Sequence, residues 1–163
     1  VKRLATTCFT YLTNCAGKAE VVLGDARLSL EREAPQQFDL LALDAFSSDA
    51  IPVHLLTKEA FELYGRHLRT NGIIAVHVSN HFLDLEPVVL NLARHFQYKP
   101  AIIDYDETDE EWWLYSSTWI LLTRDGDCLA FPGIVAAARP PEAPEKQVPL
   151  WTDDFSSLFQ ILK

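Results

Sequence analysis

A chain of 163 residues, 48% of them apolar and carrying a formal net charge of −9, has the size of one domain and enough apolar mass for a core. That acidity argues against a nucleic-acid binder, whose phosphate lattice selects basic surfaces. It suits a cationic ligand drawn in by charge, and equally plain solubility. No apolar run approaches the roughly 20 residues of a membrane helix, and no basic, apolar, small-residue leader opens the chain.

The chain opens on Val1 rather than methionine, which reads as a piece of a longer protein. Cys8, Cys15 and Cys128 are odd in number and lack CxxC spacing, so they read as reduced cytosolic thiols with no zinc site. The first element with a clear pattern is "AEVVLGD" (19–25), apolar on both faces like a buried parallel strand. "FDLLALD" (38–44) and "GIIAVHVSN" (72–80) have the same character, and each run ends in a polar residue or a turn. Between them Thr57 is placed to cap a helix with Phe61, Tyr64 and Leu68 on one stripe, Glu59 in its first turn, and Asn71-Gly72 as its stop. Asp84 is placed to cap a second helix, with Pro87 in the first turn and Val88, Val89, Leu92, Ala93 and Phe96 inward.

"AIIDY" (101–105) and "TWILLT" (118–123) add two strands around an acidic, aromatic loop, "DETDEEWWLYSS". Trp112, Trp113 and Tyr115 in that loop read as packing residues before ligand platforms, and the acidic residues 104–111 as a solvated loop before an entrance for polycations. "RPPEAPEKQVP" (139–149) is an extended Pro-rich connection, and the tail 150–163 returns to an apolar pattern that docks on the same domain. Thr152 in that tail either belongs to a functional block or caps a terminal helix. Strand and helix in alternation over 1–138 predict an α/β fold with a mainly parallel sheet.

Ligands of such sheets lie beyond the carboxyl ends of the strands. Asp25, Asp44 and Asn80 each stand at such an end, and Asp49 follows on the loop after the second strand. Parallel strands would therefore rack carboxylates along one rim, although an aspartate after a strand is also a common turn former. Ser47 and Ser48, between the two acids, are candidate substrate contacts; neither has a base in view that would make it a nucleophile. His77 lies within a strand and reads as a packed, hydrogen-bonded histidine, and His77 with His81 is not expected to hold a metal.

"VVLGDARLSLE", "FDLLALDAFSSDAIPVHLLTKEAFELYGRHL", "NGIIAVHVSN" and "WTDDFSSLF" resemble successive blocks of the spermidine synthase-like family, polyamine aminopropyltransferases on a class I S-adenosylmethionine-dependent methyltransferase fold. The resemblance covers residues 3–98 and 150–159. It implies that Asp25 and Ala26, in Gly24-Asp25-Ala26, contact the adenine of the donor, decarboxylated S-adenosylmethionine. It implies that Asp44 is the catalytic base and that Asp49 anchors the amine, here at the spacing Asp44-x4-Asp49 with proline three residues later. The chain is similar to a divergent bacterial branch that is often membrane-fused, which would put this domain in the cytosol of a parent that can carry membrane helices.

The chemistry suits those groups. An amine with a pKa near 10 is protonated at neutral pH, so a carboxylate must hold the ammonium and accept its proton before the nitrogen can attack. In-line geometry then supplies much of the rate. No metal is required. A methyltransferase using S-adenosylmethionine, and a non-catalytic assembly module of the same fold, are the alternative functions.

The family's Gly-rich turn after the first strand and acid after the second have no counterpart here, and "VKRLATTCFTYL" is similar to the helix that follows that acid. In the strand order 3-2-1-4-5-7-6 implied by the resemblance, the first two strands would then be lacking, 19–25 would lose its neighbours and 38–44 would expose an edge. Strand 19–25 sliding in beside 38–44, pairing between chains in a homo-oligomer, or a separately supplied half are the expected remedies, and the chain alone is expected to be inactive.

Overall fold

The computed structural model describes residues 2–12, 14–45, 52–108, 113–142 and 148–163, which divide into two compact units, Val1–Arg32 and Glu33–Lys163. The first unit holds two short helices, α1 (Lys2–Thr7) and α2 (Ala26–Arg32). Residues 19–25, expected as a buried strand, form none, and Val21, Val22 and Leu23 are exposed. A strand exists only where a neighbour takes its backbone N–H and C=O groups, and an apolar, β-branched sequence does not supply that neighbour. The segment ends in a cap: Gly24 takes φ +133°, and the Asp25 Oδ1 accepts the Leu28 N–H at 3.0 Å at the start of α2.

The second unit is an α/β layer structure. Its elements run β1 (Phe38–Leu43), α3 (Lys58–His67), β2 (Leu68–His77), α4 (Glu86–His95), β3 (Lys99–Tyr105), β4 (Ser117–Thr123), α5 (Pro132–Ala137) and β5 (Ala138–Arg139). They form one sheet in the order β1-β2-β4-β3-β5. Only β1 and β2 pair in parallel; β2 with β4, β3 with β4 and β3 with β5 are antiparallel. The sheet is therefore mixed, not mainly parallel. The reason lies between β3 and β4, where the described residues form no helix to carry the chain over the sheet, so it turns back as a hairpin and β4 enters between β2 and β3.

Both helical crossovers, β1-α3-β2 and β2-α4-β3, step the same way across the sheet, so right-handed connections put α3 and α4 on one face. Against that face lie Ile74, Val76, Ile102, Ile120 and Leu122, each fully buried. From α3 come Ala60, Phe61 and Tyr64, and from α4 Val88, Val89, Leu92 and Ala93. Thr57 caps α3 as expected, its Oγ1 accepting the Ala60 N–H at 3.3 Å. At α4 the N-cap position is Leu85 rather than Asp84, and the Asp84 carboxylate accepts the Glu86 N–H at 3.3 Å from one residue further out.

The tail closes this core. Trp151 is fully buried and its carbonyl accepts the Lys58 N–H at 2.8 Å. The Thr57 hydroxyl donates to Asp153 Oδ1 at 2.8 Å, while the Asp153 N–H donates to Glu59 Oε2 at 2.9 Å. "TDD" thus ties the tail to the first turn of α3. Thr152 caps no terminal helix; it closes a tight turn with Phe155, and the chain ends in a 3-10 turn at Leu158–Ile161.

α3 ends at His67, four residues before the expected stop at Asn71-Gly72, because Leu68 already pairs with Phe38. Gly72 serves a different need. A Cβ there would stand 2.9 Å from the Phe38 carbonyl oxygen and 3.1 Å from that of Arg69, both backbone atoms. Gly72→Ala is expected to force β1 and β2 apart and to cost about 2 kcal/mol by overpacking, read as a lowered melting temperature. An unchanged melting temperature would show that the two strands do not approach this closely.

Candidate functional site

The site is built by the one parallel pair. Its register sets Leu40 opposite Ile73, Leu41 opposite Ile74, Ala42 opposite Ala75 and Leu43 opposite Val76. The next position on each strand is polar: Asp44 after "LLAL" and His77 after "IIAV". The two side chains meet there, with His77 Nδ1 2.9 Å from Asp44 Oδ1.

On its other side His77 Nε2 lies 2.8 Å from the Ser79 Oγ. The ring stacks on Trp119, its cross-strand partner on β4, with centroids 4.9 Å apart and planes at 17°. The Ser79 Oγ accepts the Thr118 N–H at 2.7 Å, just beyond the Val78 N–H to Thr118 carbonyl bond that continues the ladder. The carboxylate of Asp44, an acceptor-only group when ionised, takes its hydrogen from Nδ1. The Ser79 hydroxyl, with one oxygen lone pair committed to Thr118, keeps a hydrogen and a second lone pair with which to pair with Nε2.

The line continues across the sheet. The Thr118 hydroxyl donates to Asp104 Oδ1 on β3 at 2.8 Å. Arg139 on β5 donates through Nε to Asp104 Oδ2 at 2.5 Å and through Nη2 to Glu86 Oε2 on α4 at 2.7 Å. Burial pushes the Asp104 carboxyl up, but hydrogen bonds from Arg139 and Thr118 and the guanidinium charge outweigh it and hold the carboxyl below its ordinary range. The hydrogen bond to Glu86 outweighs burial and, with the bonds to Asp104, raises Arg139. The chain of contacts runs Asp44, His77, Ser79, Thr118, Asp104, Arg139, Glu86. It touches every strand in sheet order, and the Asp44 side chain at its open end is 60% exposed against 23% for His77.

The structure brings together some of the expected residues and not others. Asp44 is at the tip of β1 as expected. Asp49, Ser47 and Ser48 lie outside the described residues. Asp25 and Ala26 belong to the first unit, where Asp25 caps α2. Asn80 joins no rim of acids: its Oδ1 accepts the N–H groups of Phe82 and Leu83 and so shapes the turn after β2. Ser79, His77 and Asp44 stand in line, although the serine oxygen is engaged by a backbone amide. Asp104, expected in a solvated acidic loop, is the pivot of the Arg139 network. Trp113 and Tyr115, expected as packing residues, are 58% and 82% exposed, and Trp112 lies outside the described residues. Among the described residues no group of three or more His, Cys, Asp or Glu could hold a metal ion, and no helix is long and apolar enough to cross a membrane.

The sequence matches no protein-family model and no curated protein. Solved structures similar to this chain include these two. One is a probable spermidine synthase from Corynebacterium glutamicum, 24% identical over 63% of this chain and 36% of that one, with a TM-score of 0.47. The other is MnmC2 from Aquifex aeolicus, 20% identical over 71% of this chain and 35% of that one, with a TM-score of 0.44. The chain spans about a third of the length of each.

Two measurements check the site. Long-range nitrogen–proton spectra at neutral pH are expected to show His77 with its hydrogen on Nδ1; a hydrogen on Nε2 alone would contradict the assigned direction of the line. The depressed Asp104 carboxyl contributes stability that is present above its unfolded-state pKa of about 4 and lost as pH falls through its lower folded value. Asp104→Asn is therefore expected to flatten the fall in melting temperature below about pH 4, and an unchanged acid limb would remove Asp104 from the network.

Proposed function

We propose that this chain is part of a spermidine synthase-like transferase and that Asp44 accepts the proton of a cationic amine substrate. The observation that carries the proposal is Asp44 itself: the residue directly after β1 of the parallel pair, exposed on one side and held by a histidine on the other. The succession β1-β2-β4-β3 supports it, being the order of strands 4, 5, 7 and 6 in the sheet that the sequence blocks imply. On this reading Asp44 would take the part of the family's catalytic carboxylate.

The Asp44 carboxylate would bind the ammonium by a charge-assisted hydrogen bond and take one proton from it. The freed nitrogen lone pair would form the new carbon–nitrogen bond as the carbon–sulfur bond of the sulfonium donor breaks and its electron pair stays on sulfur. The leaving thioether is neutral, so no anion-stabilising group is needed. Asp49 is proposed as the second anchor of a di-cationic amine and Ser47 and Ser48 as further substrate contacts. Asp25 and Ala26 are proposed for the adenine, although one Asp25 oxygen is already used in capping α2. Among the described residues of the sheet unit, Asp44 is the group proposed for the acceptor half of the reaction, and none is proposed for the adenosyl group.

The unpaired outer edge of β1 favours a second reading, an assembly domain in which the fold is kept and the chemistry is not, because a sheet edge with no partner among the described residues invites another strand. Asp44→Asn in the full protein separates the readings. A proton acceptor predicts transfer to 1,4-diaminobutane reduced by about 10²-fold or more with an unchanged melting temperature. Loss of folding without a specific loss of rate would sink the catalytic role. Running the same assay with decarboxylated and intact S-adenosylmethionine distinguishes aminopropyl from methyl transfer.

A further inference from the structure

An aspartate that ends an edge strand and is mostly exposed has nothing of its own to hold its side chain. A free Asp44 would sample several rotamers, and in only some of them would an oxygen face an incoming amine. His77 removes that freedom. Its Nδ1 engages Asp44 Oδ1 at 2.9 Å, which leaves Oδ2 to meet a ligand.

The imidazole is itself immobilised from three directions. Ser79 holds Nε2 at 2.8 Å, Trp119 covers one ring face, and the strand pairing with Trp119 fixes the backbone beneath. Ser79 is fixed in turn by the Thr118 amide at 2.7 Å, and Thr118 by Asp104, whose carboxylate is clamped by Arg139. A histidine that only filled space at a strand end would need none of these contacts.

We infer that His77 is the positioning residue of the site: it locks one Asp44 rotamer, with Ser79 and Trp119 holding the imidazole in the orientation and tautomer that do so. The proton acceptor remains Asp44; His77 acts through it and need not touch the substrate. The consequence for the reaction rests on the proposed role of Asp44, whereas the locking itself does not.

The experiment uses the 163-residue chain and four variants. Three-bond couplings from the Asp44 carboxyl carbon report its side-chain rotamer, and melting temperatures report folding. The wild type is expected to show one rotamer. His77→Ala is expected to show an average over several. His77→Asn, whose amide nitrogen stands near the place of Nδ1, restores one rotamer. His77→Gln, whose amide reaches the place of Nε2 instead, does not. Ser79→Ala gives partial averaging with the tautomer shifted toward Nε2–H. Transfer to 1,4-diaminobutane by the full protein is expected to fall about 10- to 100-fold in His77→Ala, to recover in His77→Asn, and to fall in kcat rather than in amine KM, because the charge that binds the ammonium is still present.

A single Asp44 rotamer in His77→Ala, or averaging already in the wild type, overturns the inference whatever the enzyme does. Should His77→Ala unfold, the comparison of His77→Asn with His77→Gln carries the decision, and equal rotamer behaviour in those two also overturns it. Locking confirmed in a protein without transfer activity would instead refute the proposed function and leave the positioning intact.

Discussion

The parallel register of β1 against β2 is the constraint on which the rest depends. With Leu43 opposite Val76, the first polar residue after each apolar run falls beside its counterpart, and Asp44 meets His77. A slip of one residue would turn every side chain of β1 to the other face, trading Leu41 and Leu43 for Leu40 and Ala42 against the helices and carrying Asp44 away from the imidazole. The register is held at its other end by Gly72, which lets the β2 backbone pass close to the Phe38 carbonyl, and by the ion pair of Arg69 with Asp39 across the same strands. Packing of the core and geometry of the site are therefore one requirement.

A second consequence is the polar line across the sheet. Its members alternate donor and acceptor without a gap, so each buried or half-buried polar group is satisfied by the next. Its far end is anchored by charge, Arg139 between Asp104 and Glu86, and its near end is a lone exposed carboxylate. Rigidity is thus delivered to the most exposed carboxylate of the line. A terminal aspartate without this line would be a turn former like Asn80, whose oxygen is spent on the amides that follow it.

Much of this was legible in the sequence, and the illegible parts have identifiable causes. The core helices and four of the five strands follow from apolar period and length, because α3, α4, β1, β2, β3 and β4 bury their apolar faces where the pattern puts them. Segment 19–25 carries the same pattern and forms no strand, since pattern describes what a strand would bury and not whether a partner is there. The direction of β4 could have been read from 106–116, which has no helical period and so cannot carry a crossover. The site was half visible: Asp44 stood out as an acid ending an apolar run, but "LLALD" and "IIAVH" had to be aligned as parallel neighbours before His77 became its partner. Ser79, Thr118 and Arg139 carried no local signal at all, because their roles arise from contacts between strands far apart in sequence.

The position of the site at a sheet edge also explains which half of the proposed chemistry is on view. Among the described residues β1 has a strand partner on one side only, and Leu40 on its outer part is 57% exposed. A ligand pocket at the carboxyl end of a sheet needs walls on both sides of the strand that bears the catalytic group, and here one wall, formed by His77, Ser79 and Trp119, is complete. That wall orients a carboxylate, and the proposed hold on an ammonium needs contact from one direction. It cannot enclose a donor several times larger, which needs contact from several. The proposed acceptor role therefore asks only for the ends of β1 and β2, whereas the proposed donor role asks for contacts beyond them.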